Sequence, residues 1–114
     1  MKNPFNMSLP EFYQILCKAG ITVSHYEADL DKFPYIVYQE LSTGHSNASG
    51  KNWREVTRVN VEHFTKKEWD PSLEKLKLAL MENRINFTTT TNYFTDTKVI
   101  NTVFDLTIAR DMEA

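Results

Sequence analysis

Side chains with chemistry to offer are few in this chain, and they are widely spaced. His25, His45 and His63 stand far apart, and none belongs to an H-x-H, H-x-x-x-H or H-E-x-x-H spacing that would aim two imidazoles at one ion. No metal site is expected from them. His63 falls in a strand-like run, where a half-buried, hydrogen-bonded ring is predicted, and His45 falls in a polar stretch read as solvated loop. Cys17 is the sole cysteine, so it can close no internal disulfide and cannot build a thiolate-rich zinc site. Its place beside the apolar positions of a helix makes it a small buried hydrophobe rather than a nucleophile. Glu27, Asp29 and Asp31 are carboxylates of the kind that share acid–base work, but they cluster in a turn-prone stretch where an acidic run is solvated. Three scattered glycines cannot spell a phosphate-cradling loop. These residues predict neither an enzyme nor a cofactor.

Two further patterns invite a binding reading and are set aside. Arg54, Arg58, Lys66 and Lys67 with Trp53, Phe64 and Trp69 resemble a basic strand with aromatic platforms for a single nucleic-acid strand. Glu55, Glu62 and Glu68 interleave with them and would repel the phosphates, so a mixed-charge solvated face is the better reading. Asn47-Ala48-Ser49 and Asn86-Phe87-Thr88 spell the glycosylation acceptor, which has no consequence without a secretion signal. The N-terminal Met1-Lys2-Asn3-Pro4-Phe5-Asn6 lacks the apolar core of such a signal, and no stretch approaches the ~18 apolar residues of a membrane span. A protein made in a reducing cytoplasm, without a membrane or a specific nucleic-acid partner, is expected.

The elements that position these residues follow from length and periodicity. The chain has 114 residues, 41% hydrophobic and 25% charged, with 13 basic and 15 acidic side chains giving a net charge of −2. That size fits one domain over residues 1–114, burying about two-thirds of its unfolded surface. Ser8-Leu9-Pro10-Glu11 spells a capping box, Phe12, Ile15, Leu16 and Ala19 share one helical face, and Gly20 suits a left-handed stop, predicting a helix over 9–19. Residues 21–33 read as mostly loop, and Phe33 to Leu41 as a strand entered through Pro34.

Residues 42–52 hold two of the three glycines and almost nothing apolar, predicting a long, mobile polar connection that binds a neighbour or partner. Trp53 to Lys66 is a strand with Val59, Val61 and His63 on one side, and the break of parity at Val56 and Phe64 predicts a bulge or apolar contacts on both faces. Asp70-Pro71 starts a second helix ending near Asn83, and residues 86–93 and 99–109 form a hairpin. The sum is an α+β fold, a mainly antiparallel sheet of four to five strands with two helices on one face. The expected core is Phe12, Ile15, Leu16, Val37, Val59, Val61, Leu73, Leu76, Leu80, Phe104 and Leu106.

The order Phe33-Pro34-Tyr35-Ile36-Val37-Tyr38, polar stretch, Arg58 to Lys67 ending in Phe64-Thr65-Lys66-Lys67, then Asp70-Pro71-Ser72-Leu73-Glu74 resembles the tail-terminator, or tail-to-head joining, proteins of long-tailed phages and prophages of Gram-positive bacteria. The resemblance runs from about Leu9 to Ile108, with one departure at His63, where an aliphatic residue is expected. It implies a structural virion subunit of the tail and neck, without enzyme activity, that assembles as a ring, a hexamer in the particle and a monomer when isolated. Its implied partners are further copies of itself, the tail tube protein and the head-completion or connector protein. Other readings are a different head-closure or minor tail protein, or a small ligand-binding α+β domain. The residues singled out for subunit or partner contacts are His45, Asn47, Lys51, Trp53, Arg54 and Trp69.

Overall fold

The computed structural model describes residues 4–27, 32–50 and 52–113, with backbone alone at residues 48, 49 and 113. The first helix, α1 (Leu9–Leu16), begins where the Ser8 hydroxyl accepts from the Glu11 N–H and the Glu11 carboxylate accepts from the Ser8 N–H, so two otherwise orphaned donors are satisfied reciprocally. It tightens into a 3-10 turn at Cys17–Ala19 and stops at Gly20, whose φ of 77° lies in the left-handed region. The helix predicted over 9–19 is therefore α-helical only to Leu16. The second helix, α2 (Pro71–Glu82), is capped by Asp70, which accepts from the Ser72 N–H at 2.9 Å.

Five strands form one sheet: β1 (Thr22–His25), β2 (Tyr35–Ser49), β3 (Asn52–Thr65), β4 (Phe87–Phe94) and β5 (Val99–Glu113), in the order β1-β2-β3-β5-β4. β1 runs parallel to β2, and every other neighbouring pair is antiparallel. With two helices this is an α+β fold. Along β2, β3 and β5 alternate residues Ile36, Tyr38, Val59, Val61, Phe104, Leu106 and Ile108 join a single apolar cluster with Phe12, Ile15 and Leu16 of α1 and Leu76, Ala79 and Leu80 of α2. Met7 and Ile85, flanking the two helices, complete it.

Three expectations are corrected. Thr22–His25 is a strand, not loop; it is short, and its parallel partner lies thirteen residues on (Thr22↔Tyr35), so no hairpin signal announces it. The stretch 42–52 is not a loop either: β2 and β3 pair through Ser49↔Asn52, leaving only residues 50 and 51 as the connection, with Gly50 at φ 67°. Of the two alternatives for the parity break in β3 the bulge is absent, since β3 stays in continuous register with β5; the bulges lie in β2, between Glu40 and Ser42 and between Asn47 and Ser49. Val56 and Phe64 lie on the face of β3 opposite Val59, Val61 and His63, and the other alternative, an apolar contact there, is met at the strand's end, where Phe64 stacks on Tyr35 with ring centroids 4.9 Å apart. Val37, buried as expected, also lies on that second face and outside the main cluster; Leu73 is only half-buried against it.

Candidate functional site

The distal halves of β2 and β3, with the end of β5, project past the helices as a three-stranded arm, and the molecule measures 53 × 25 × 22 Å. Residues Leu41 to Asn47 are all exposed, as are Asn52, Trp53 and Val56. No apolar stripe marks the arm because neither face is covered by a helix. Its order comes from the backbone ladder and from charge pairs across the strands. His45 stands opposite Glu55, and Glu55 opposite Arg110. The Glu55 carboxylate meets His45 Nε2 at 3.0 Å and accepts from Arg110 Nε at 3.0 Å. Burial alone would raise its affinity for a proton, but these two hydrogen bonds outweigh that and hold the carboxyl below the usual carboxylate range. On the other face Arg54 donates to Asp111 at 2.8 Å and to the Phe5 carbonyl at 2.9 Å, tying the N-terminal segment to the arm.

Four of the six singled-out residues thus come together on the arm: His45, Asn47 and Trp53 on one face, with Asn47 opposite Trp53 and Trp53 opposite Met112, and Arg54 on the reverse. Lys51 lies outside the described residues, as do Asp29 and Asp31. Trp69 is not part of the group. It follows the far end of β3, roughly 40 Å from the arm's tip by strand rise, at φ 57° and 93% exposed. Arg58, read as part of a mixed-charge solvated face, pairs with Asp105 at 3.5 Å.

Where α1 meets the arm, a cavity of about 300 Å³ is lined by Met7, Leu9, Pro10, Glu40, Thr43 and Glu55 among others. A shallower recess of Leu9, Pro10, Tyr13, His25 and Tyr38 adjoins it. His25 is sandwiched between Tyr26 and Tyr38 with centroids 4.0 and 4.5 Å apart, and its Nε2 lies 3.2 Å from Glu40. The Tyr26 hydroxyl donates to Glu40, a bond that raises the phenol's pKa above its ordinary value. Glu40 and Glu55, the acids at this junction, are therefore each engaged by two side chains, which makes them struts rather than free bases. The spacing of His25, Tyr26 and Glu40 carried no signal in the sequence because a parallel pairing brings them together.

A Ser, a His and an Asp also meet beneath α2. Ser72 Oγ donates to Asp70 Oδ1 at 2.7 Å, His63 Nε2 lies 2.8 Å from the same Oγ, and Thr65 donates to Asp70 Oδ2 at 2.6 Å. Nucleophilic catalysis needs the imidazole between hydroxyl and carboxylate, so that it can take the hydroxyl proton. Here the serine occupies the middle and its proton is committed to Asp70, so His63 must donate through Nε2, and its bare Nδ1 has no partner among the described residues. His63 is fully buried, not half-buried. Burial is the main cause holding its pKa below the ordinary 6.5, with Lys77 acting in the same direction and Asp70 opposing. The cluster is structural: it locks the α2 N-terminus to β3, which explains a polar ring where an aliphatic side chain is expected.

Among the described residues no group of three or more His, Cys, Asp or Glu side chains could hold a metal ion, and no helix is long and apolar enough to cross a membrane. In comparisons with known proteins, no family model and no curated protein matches the chain.

Proposed function

We propose that the protein is a structural component of a long-tailed phage, the ring subunit that ends growth of the tail tube and joins tail to head. The observation that carries the reading is the arm, a three-stranded projection with both faces exposed and Trp53 beside Met112. Such a projection gains stability by docking. A ring needs heterologous contacts made by two different patches of each subunit. The arm at one pole and the bare Trp69 at the other supply two dissimilar surfaces, and the linear order of motifs from about Leu9 to Ile108 supplies the particle. A growing tube exposes an unsatisfied end, which such a ring covers with one face while presenting the other onward to the head connector.

The test is microscopy of particles made without the protein. Filled heads beside tails that are unjoined or of irregular length are expected. Joined tails of normal length refute the terminator role and leave another head-closure or minor tail component as the better reading.

A further inference from the structure

An edge strand presents a row of unpaired N–H and C=O groups, and natural sheets blunt such edges with brevity, bulges, charge or proline. The outer edges here are treated unequally. β1 is four residues long. Beyond β1, the open edge of β2 carries two bulges and Gly44. Past the end of β4, the edge of β5 is covered by the N-terminal segment: Met7 N–H donates to the Ala109 carbonyl at 2.7 Å, and Ala109 N–H to the Pro4 carbonyl at 2.9 Å. Among the described residues β4 alone has no protection. Its eight residues, Phe-Thr-Thr-Thr-Thr-Asn-Tyr-Phe, include no charge, glycine or proline, run without a bulge opposite β5, and end in Tyr93 and Phe94, 58% and 48% exposed.

We infer that β4 is a pairing surface for β4 of a second copy, giving an antiparallel two-fold dimer with one continuous ten-stranded sheet. A two-fold axis normal to the sheet requires facing residues of equal parity. Centred on Thr90, it sets Phe87 against Tyr93, Thr88 against Asn92 and Thr89 against Thr91 in the register of the strand. Aromatic pairs and Thr–Thr pairs are among the cross-strand partners that stabilise sheets. The ends are complementary as well: Arg84 precedes the strand, Asp96 follows it, both are exposed, and neither has an ion pair among the described residues. Antiparallel pairing on this centre brings the Arg84 end of one copy to the Asp96 end of the other, twice. Moving the axis to Thr91 would set Arg84 toward Lys98 instead, which selects Thr90. This dimer takes the place of the free monomer expected of the isolated subunit, and it does not depend on the proposed role in a phage.

The experiment measures mass by light scattering and register by cross-linking. The full chain at tens of micromolar should weigh twice 13.3 kDa. In a Cys17→Ser background, Thr90→Cys should form an intermolecular disulfide under mild oxidation, because facing Cα atoms lie ~4.5–5.5 Å apart. Thr88→Cys, exposed on the same face, should not, since its mate is displaced by four residues, ~13 Å. Thr90→Lys sets two like charges on the axis and should return the mass to 13.3 kDa with the fold intact by circular dichroism and a Tm that no longer depends on concentration. A monomer at every concentration overturns the inference. So does a dimer that survives Thr90→Lys, or one that cross-links equally well from position 88.

Discussion

Acidification should weaken this protein through His63 before it touches the carboxylates. The ring is fully buried, donates to Ser72 and keeps a bare Nδ1, so the fold holds it neutral with a pKa below 6.5. The unfolded chain has no such restraint and takes up a proton near pH 6.5. A group whose folded pKa is depressed in this way contributes its full stability above the unfolded value and loses it as pH falls toward the folded one. For one proton the loss is at most about 1.4 kcal/mol per pH unit; worked between pH 7.5 and 5.5 with the ring neutral in the fold throughout, it comes to about 1.4 kcal/mol in all. Urea unfolding of the wild type and of His63→Gln, which keeps a donor for Ser72 but cannot titrate, isolates this contribution because all other groups cancel in the difference. The wild type should lose up to that amount relative to the variant across the interval. Parallel profiles, or a wild type that gains on the variant as pH falls, would refute the buried neutral ring and point to an imidazolium paired with Asp70.

Asp70 adds a second, lower window. Burial would raise its pKa, but hydrogen bonds from Thr65 and Ser72 hold it below 3.8, so its contribution is fully present at higher pH and should vanish only as pH falls beneath that value; Asp70→Asn should lower stability above pH 5 and flatten the unfolding profile beneath 3.8. Leu76→Ala empties a fully buried position under α2 and should cost ~2–5 kcal/mol, lowering Tm by roughly 8–20 °C; an unchanged Tm would mean that the helix packs through another face. Ser8→Ala removes the hydroxyl of the α1 capping box and should cost ~1 kcal/mol in urea unfolding. Glu55→Gln weakens the link between His45 and Arg110, so amide exchange should quicken in residues 43–47 and 53–57 while Val59 and Val61 stay protected; equal protection in variant and wild type would show that the ladder alone holds the arm.

Both helices and β5 were legible in the sequence because a cap and an apolar period can be seen without knowing what packs on them. Ser8 with Glu11, Asp70 with Pro71, and the alternation Ile100, Thr102, Phe104, Leu106, Ile108 are signals of this local kind. The β2 part of the arm was not legible, since a strand with both faces uncovered has no apolar alternation, and its glycine and serines look the same in a ladder as in a loop. The face of the sheet that buries Val37 is not legible, because the run Tyr35-Ile36-Val37-Tyr38 is apolar throughout and carries no parity. His63 was recognised as a strand residue but not as the anchor of α2, since its partners Ser72 and Asp70 look from sequence like the start of a helix and nothing more.

The place of β5 between β3 and β4 governs how this chain can be born. Val61 waits for Phe104, Phe87 waits for Leu106, and the Met7 N–H finds its acceptor only at Ala109, a hundred residues later. During synthesis the helices and the β1-β2-β3 ladder can form as they emerge, but the sheet has a missing middle, and β3 and β4 cannot be joined until β5 is available. Long-range pairing of this sort folds slowly and leaves strand edges open in the meantime. A nascent chain stalled before Val99 should therefore be protease-sensitive at β4 and along the open edge of β3, and addition of β5 should convert those segments to the resistant fold.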